Sequence, residues 1–451
     1  VSAGLLGYAS YLPRHRLPAA AIGLRKGDRV VASYDEDSTT MAVAAAGAAL
    51  APGAVPAALY LATTSPAYVD KTNATAVHAA LGLPAQVFSA DLCGTGRSTI
   101  AALKLAAQGG GLVVAADVRV GKPGSADEKT GGDGAAALWF GDGEPIARIV
   151  ALRSQTAEFL DRWREPTSVT GQQWEERFGA EQYSALIRST ARAALDDAGI
   201  ADADHVVLAC PNTAIIKRAA TLVKGQKSVS TSPIGHAGAA DALIALAGVL
   251  DGAAPGDSIV VISAVDGCDV VVLQTTAALA AQRQARPLAD QRSAGLPVEQ
   301  LTYLSWRGLV ELEAPRRPEP ERAAAPPAAR SAGWKFGFTG ARCDECGFTH
   351  LPPVRVCRSC TAVDAMTALP VAQLTGTVVT YTVDRLAFSP SPPMVQAVVD
   401  IEGGGRCTLE VADARPDDLE VGARVRFSFR RLFTAGGVHD YFWKAVQEDA
   451  Q

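Results

Sequence analysis

The sequence predicts an α/β fold built twice over, followed by a small cysteine-rich module and an all-β barrel. Three observations predict it. First, two stretches repeat one plan. Residues 87–98 run from an apolar strand through Cys93-Gly94-Thr95-Gly96 into a helix over 99–108, then the strand Leu112-Val113-Val114-Ala115-Ala116. Residues 233–240 echo this with Pro233-Ile234-Gly235-His236-Ala237-Gly238, a helix over 241–250 and the strand Ile259-Val260-Val261-Ile262-Ser263. Two loop–helix–strand units in one chain point to a duplicated α/β fold whose loops face each other. Second, Cys343, Cys346, Cys357 and Cys360 form two Cys-x-x-Cys pairs. Third, the chain beyond Gln373 alternates apolar and polar residues in short segments separated by Gly-rich turns, the period of half-buried strands.

Composition bounds what such a chain can do. At 451 residues it exceeds one ordinary domain and buries a substantial core. A net charge of −5 argues against general affinity for nucleic acid or anionic membrane. No run of about eighteen apolar residues is free of charge and Gly, so no membrane span is expected. Val1-Ser2-Ala3-Gly4 does not read as a secretory signal. Half of the eight cysteines sit in a metal-ligand pattern and the rest are scattered, which fits a reduced, cytoplasmic protein.

In chain order, residues 5–12 read as a first strand ending at Pro13. Asp35 to Ser38 supply acidic N-cap chemistry for an Ala-rich helix over 39–50. A strand over 59–63 and a helix over 73–81, stopped by Gly82 and Pro84, follow. Gly131-Gly132-Asp133-Gly134-Ala135-Ala136-Ala137 leads a strand whose small residues permit close packing. The second half begins near Ile149, with an amphipathic helix over 182–198 and a strand over 205–209. Cys210-Pro211-Asn212-Thr213 stands at that strand's end, where open α/β sheets place ligand loops. Residues 270–273 form the last strand. A helix over 301–312 and an extended Pro/Ala/Arg-rich linker over 314–330 come next. The four cysteines can close tetrahedrally on a structural zinc in a ribbon. Segments 376–383, 394–401, 407–411, 425–431 and 441–446 suggest an OB-type barrel. The expected domains are 1–282, 283–332 (helix and linker), 333–368 (zinc ribbon) and 369–451 (OB fold).

These motifs together resemble the thiolase superfamily, specifically ketoacyl synthase III and hydroxymethylglutaryl-CoA synthase. The resemblance rests on the two loop–helix–strand units and on residues 32–42, which carry Asp35-Glu36-Asp37. Residues 59–65 with Asp70-Lys71, and the Gly-Asp-Gly-Ala-Ala-Ala strand, add to it. It spans about 1–282 and implies a duplicated, five-layered thiolase-like fold. Residues 333–448 resemble the zinc-ribbon/OB proteins that accompany thiolases and hydroxymethylglutaryl-CoA synthases as acyl-CoA-binding partners. The resemblance implies a coenzyme A thioester as substrate, a homodimer paired through residues 87–92, and a possible separate thiolase partner.

It also implies catalytic positions, and several do not land. Condensing enzymes of this superfamily use a Cys nucleophile, a His, and an Asn or second His; hydroxymethylglutaryl-CoA synthases add a Glu. Aligned through Asp91-Leu92 and Ala102-Leu103, the nucleophile position falls on Gly96, three residues after Cys93. Cys93 is thus either the nucleophile of a shifted loop or a small buried residue. The Glu position falls on Thr64 and the His position on or beside Cys210. The fourth position falls on His236, whose loop looks like that of thiolases and ketoacyl synthases I and II, making it a candidate general base or oxyanion donor. Cys268 lies near where thiolases keep a second Cys. Two readings follow: an enzyme making or breaking C–C bonds in acyl-CoA, with His236, Cys93 and Cys210 at its site, or a non-catalytic acyl-CoA-binding scaffold for a separate thiolase. Nucleic-acid binding by the ribbon and barrel is disfavoured, since residues 333–451 carry 12 Lys and Arg against 14 Asp and Glu.

Overall fold

The structure, a computed structural model, describes residues 3–222, 229–313 and 317–448. Val1 and Ser2, and residues 314–316 at the start of the expected linker, lie outside the described residues. The chain forms two compact units. The first comprises Val1–Ala32, Asp37–Thr75 and Pro84–Tyr303; the second comprises Ser33–Glu36, Ala76–Leu83 and Leu304–Gln451.

The first unit is built on one sheet whose two halves share a plan. The first half uses β1 (Gly4–Tyr11), β2 (Ala58–Thr63), β3 (Phe88–Cys93), β4 (Gly111–Asp117) and β5 (Gly134–Gly141). The second uses β6 (Ala147–Thr156), β7 (His205–Ala209), β8 (Val229–Ser230), β9 (Ser258–Ser263) and β10 (Gly267–Thr275). Their order across the sheet is β8-β7-β9-β10-β6-β1-β5-β4-β2-β3. From the centre outward, each half pairs two antiparallel ladders and then two parallel ones: β1-β5-β4-β2-β3 against β6-β10-β9-β7-β8. The halves meet where Leu5 opposes Ala147. The duplication expected from the two loop–helix–strand units is therefore present strand for strand.

Helices complete five layers. α1 (Ser38–Ala49) covers β1, β4 and β5, and α3 (Glu176–Ala198) covers β6, β9 and β10. Between the halves lie α2 (Arg97–Gly109) and α4 (Asp241–Leu250), the latter packed on β1 and β5 of one half and β7 and β9 of the other. α4 is almost wholly apolar and buried, as a helix enclosed on all sides must be. α1 starts at a capping box: Asp37 accepts from Thr40 N at 2.9 Å, and Thr40 Oγ1 accepts from Asp37 N at 2.9 Å. Among the described residues no helix is long and apolar enough to cross a membrane.

The second unit holds the ribbon and the barrel. In the ribbon, β11 (Thr339–Cys343) pairs antiparallel with β12 (Thr349–His350) and β13 (Met366–Pro370). The barrel strands are β14 (Thr375–Asp384), β15 (Met394–Ile401), β16 (Arg406–Glu410), β17 (Arg424–Ala435) and β18 (Val438–Gln447), in the order β16-β15-β14-β17-β18. Val411 bridges in parallel to Ala445, bringing the two edges together. The helix expected over 301–312 is shorter, Gln300–Trp306, and gives way to a turn at Gly308. Part of the stretch expected to be extended is helical, at Ala325–Arg330. Its prolines fall in the first turn, where a missing N–H costs nothing.

A buried charge cluster lies inside this unit. Arg430 and Lys444, 2% and 1% exposed, project from β17 and β18. Arg430 meets Asp35 at 3.2 Å, Glu36 at 3.1 Å and Asp413 at 2.7 Å. Lys444 meets Asp35 at 3.0 Å and Glu410 at 2.7 Å, and lies over the Tyr34 ring. Two cations thus face four carboxylates. Burial alone would raise the Asp35 carboxyl, but Lys444 and Arg430 outweigh it and hold it well below the usual range. For Glu36 burial dominates, helped by Asp413 and Asp35 and opposed by Arg430, and pushes its carboxyl from 4.5 to about 7.

The sign of the consequence follows. Between about 4.5 and 7 the folded chain keeps the Glu36 proton and the unfolded chain loses it. Stability contributed by this group is full below that window and falls as pH rises through it. Glu36→Gln is therefore expected to flatten the decline in stability of residues 424–447 across that window, read by hydrogen exchange; an unchanged slope would contradict it.

Candidate functional site

The ends of parallel strands share one rim of the sheet, and in the first half that rim is organised by a carboxylate. β2 ends at Thr63 and its neighbour β4 at Asp117. The buried Asp117 accepts from Thr63 Oγ1 (2.8 Å), Thr64 N (2.7 Å), Thr64 Oγ1 (2.8 Å), Ser65 N (3.0 Å) and Ser65 Oγ (2.9 Å). A sixth donor, Ala239 N at 2.6 Å, comes from the echo loop. Asp117 therefore ties the 63–65 turn to the loop that carries His236. Gly238 is required there: its φ is +60°, and a Cβ would lie 1.9 Å from Asp117 Oδ2.

His236 is held from both sides. Its N–H donates to Thr130 O at 2.8 Å, and its Nδ1 lies 3.4 Å from Asp241 Oδ2. Asp241, at the start of α4, also accepts from Ala237 N at 3.1 Å. The His236 and Asp241 side chains are 16% and 7% exposed, so the ring is oriented yet reachable. An imidazole with an orienting carboxylate on one nitrogen can use the other as base or donor. Around it stand Asp127, bound by both terminal nitrogens of Arg162 at 2.8 Å, and Arg119, whose Nη1 donates to Thr64 Oγ1 at 2.9 Å. Burial would raise the Asp127 carboxyl, but the hydrogen bonds and charge of Arg162, with a smaller contribution from Arg119, outweigh it and lower it.

The cysteines sit differently. Cys93 is exposed at the end of β3, opposite Thr63. Burial, then the charges of Asp91 and Asp117, push its thiol up. Cys210 is buried just past β7; burial raises its thiol strongly, and Asp161 and Asp241 add to the effect. Cys268, fully buried in β10, is pushed up to about 12, mainly by burial. A reactive cysteine needs its thiolate stabilised, and all three shifts run the other way. Gly96 caps α2 beside the echo loop, where a Cβ would lie 3.3 Å from Gly238 O. The geometry thus gathers Gly96, Asp117 and His236 at one loop; Cys93 stands opposite Thr63 on the neighbouring edge strand, and Cys210 is buried at the end of β7.

In the ribbon, Cys343, Cys346, Cys357 and Cys360 place their sulfurs within 4.8 Å of one another, with two pairs at 3.6 Å. A tetrahedral zinc with Zn–S bonds of ~2.3 Å sets sulfurs about 3.8 Å apart, so the set fits zinc. The amides of Cys360 and Ser359 donate to Cys357 Sγ, as they would to a ligating thiolate.

Comparison with known proteins places this architecture. A hydroxymethylglutaryl-CoA synthase from Methanocella arvoryzae is 31% identical over 291 residues, 58% of this chain and 84% of the relative. The chain belongs to the hydroxymethylglutaryl-CoA synthase family. Among solved structures, 3-oxoacyl-(acyl carrier protein) synthase III from Pseudomonas aeruginosa is similar with a TM-score of 0.54 and 23% identity, over 61% of this chain and 98% of that one. A hydroxymethylglutaryl-CoA synthase complexed with CoA gives a TM-score of 0.58 at 18% identity, over 67% of this chain and 89% of that one. Beyond this region, residues 370–430 match the family described as "ChsH2, C-terminal OB-fold domain".

Within this synthase-family chain, sequence reasoning missed Asp117, Arg119 and the Asp127–Arg162 pair. A signal for the first existed: Asp117 is the first charged residue after the apolar run 112–116, at the strand end where ligand loops begin. The Asp127–Arg162 pair had none, because the partners lie 35 residues apart, one in the short helix Ala126–Thr130 and one in the two-residue strand Arg162–Trp163, both too short to show a period.

Proposed function

We propose that this synthase-family chain makes or breaks a carbon–carbon bond in acyl-CoA thioesters, at a site that departs from the family pattern. The observation that carries this reading is the oriented His236–Asp241 pair on the loop that Asp117 ties to the 63–65 turn. His236 acts as general base or oxyanion donor. Thr64, standing where the resemblance expects Glu, supplies no ionisable group, and Asp117 is the carboxylate beside it. The thiols of Cys93 and Cys210 are held protonated, so the chemistry proceeds without an acyl-enzyme, as a Claisen or aldol-type step between bound thioesters or its reverse. That relatives are hydroxymethylglutaryl-CoA synthases, one solved with CoA, supports the substrate class.

The raised thiols also favour a second reading, a non-catalytic acyl-CoA-binding subunit serving a separate thiolase. Assaying the purified chain with acetyl-CoA and a panel of acyl-CoAs, with and without a candidate thiolase, separates the two. Turnover by the chain alone supports the enzyme; activity that appears only with the thiolase supports the scaffold.

The same reading divides the chain into 1–282, 283–332, 333–368 and 369–451, and places it in the cytoplasm. One structural zinc bound by the four ribbon cysteines holds residues 333–368, since a closed thiolate site leaves no open position for chemistry. Chelation, or Cys357→Ala, is expected to release one zinc per chain and unfold the ribbon locally. Metal analysis showing no zinc with the ribbon still protected from exchange would contradict this. A homodimer forms along β3, an edge strand of the sheet on which Phe88 is 62% exposed. Light scattering at micromolar concentration is expected to give twice the chain mass; a monomer would count against the edge pairing.

A further inference from the structure

The loop that carries His236 leans on a second stretch of backbone, and a buried arginine holds that stretch. Residues 130–132 close the short helix Ala126–Thr130 and lead into β5. Main chain meets main chain there. His236 N–H donates to Thr130 O at 2.8 Å, Gly132 N–H donates to His236 O at 3.3 Å, and Gly131 bridges in parallel to His236. The approach leaves no space for a side chain: a Cβ on Gly235 would lie 2.1 Å from Thr130 O.

Arg29, on the strand Asp28–Val31, lies buried against this stretch. Its Nη1 donates to the carbonyls of Asp127 (3.0 Å) and Glu128 (2.6 Å), and its Nη2 to that of Arg119 (2.5 Å). Asp133 stands 3.8 Å away and offsets the charge. A helix of five residues leaves its last carbonyls without helical donors. Arg29 takes Glu128 O, and two residues on His236 N–H takes Thr130 O. Gly131 touches both sides of this arrangement. Its φ of −89° suits any residue, but a Cβ there would come within 3.0 Å of Arg29 Nη1 and 2.8 Å of Asp127 O. Glycine is kept at 131 for room, and the guanidinium fills that room. A planar fork on three carbonyls at once fixes their mutual placement, which an ammonium on a flexible stem does not.

We propose that Arg29 is a positioning residue for His236: it fixes the carbonyl end of the helix Ala126–Thr130, and through Thr130 and Gly131 that end sets where the imidazole stands. Its consequence for turnover rests on the acyl-CoA reading above, in which His236 is the acting group. Asp241 orients the ring itself. Arg29 acts one step further back, on the main chain against which the His236 loop is laid.

Arg29→Lys and Gly131→Ala test this in the full chain, the first by removing the fork and the second by pressing a methyl group against it. Each is expected to speed amide exchange at His236 and Gly132 by about tenfold or more, the scale of one weakened hydrogen bond. Each should also move the His236 ring resonances in protein carrying isotope-labelled histidine, while exchange over β1 and β5 stays as in the wild type. In acyl-CoA turnover kcat should fall by about tenfold or more with KM little changed, because misplacing an acting group costs rate rather than binding. Ring resonances and His236 exchange unchanged in Arg29→Lys overturn the proposal. So does an effect in Gly131→Ala alone, since the loop would then answer to its own glycine. Loss of protection over β1 and β5 in Arg29→Lys overturns it too, because Arg29 would then hold the whole sheet and not one loop. If the wild type shows no acyl-CoA turnover, the acyl-CoA reading falls, and the resonances and exchange still decide whether Arg29 places His236.

Discussion

Replacing His236 by Ala is expected to lower acyl-CoA turnover by about 10²-fold, the scale for losing a general base or oxyanion donor. The ring is oriented by Asp241 and its loop is tied to Asp117, so truncation removes the acting group while those contacts keep the loop in place. Cys93→Ser is expected to cost far less, because burial and two neighbouring carboxylates disfavour the Cys93 thiolate. Iodoacetamide should likewise leave most activity intact. Comparison of kcat/KM for the two variants checks this. Loss of turnover in Cys93→Ser with retention in His236→Ala would reverse the assignment.

The largest effect on stability is expected from Arg430→Met. It removes the cation that Asp35, Glu36 and Asp413 share, and Lys444, the other cation of the cluster, already serves Asp35 and Glu410. Removing one member of a buried, hydrogen-bonded ion cluster costs about 3–5 kcal/mol, because the remaining charges stay desolvated. Hydrogen exchange over β17 and β18 should report that loss. A change below about 1 kcal/mol would mean that water reaches the cluster and screens it as at a surface.

Much of the fold was legible because periodicity and punctuation report it locally. The strands over 205–209 and 394–401 and the helix over 241–250 have the bounds expected from apolar runs and their flanking turns. The barrel was legible from alternation, and the ribbon from cysteine spacing. The Asp35-Glu36-Asp37 run was only partly readable. Asp37 caps α1 as expected, whereas Asp35 pairs with Arg430, 395 residues away. No local rule separates a capping carboxylate from one destined for a distant cation. Arg430 and Lys444 themselves read as ordinary members of alternating strands, since charge at a strand position usually signals solvent. In the candidate site, His236 stood out through its glycine-flanked loop. Arg119 did not, because its place is set by Thr64, Arg29 and Asp133 from three other segments.

The central claim is a condensing site that works on acyl-CoA without a cysteine-bound acyl group. It is tested most directly by intact-protein mass spectrometry during turnover, with acetyl-CoA and a second acyl-CoA present and products followed in parallel. The account predicts formation or cleavage of a C–C bond in the CoA thioester while the protein mass stays that of the unmodified chain. An acetyl group accumulating on the protein and mapping to Cys93 would contradict it.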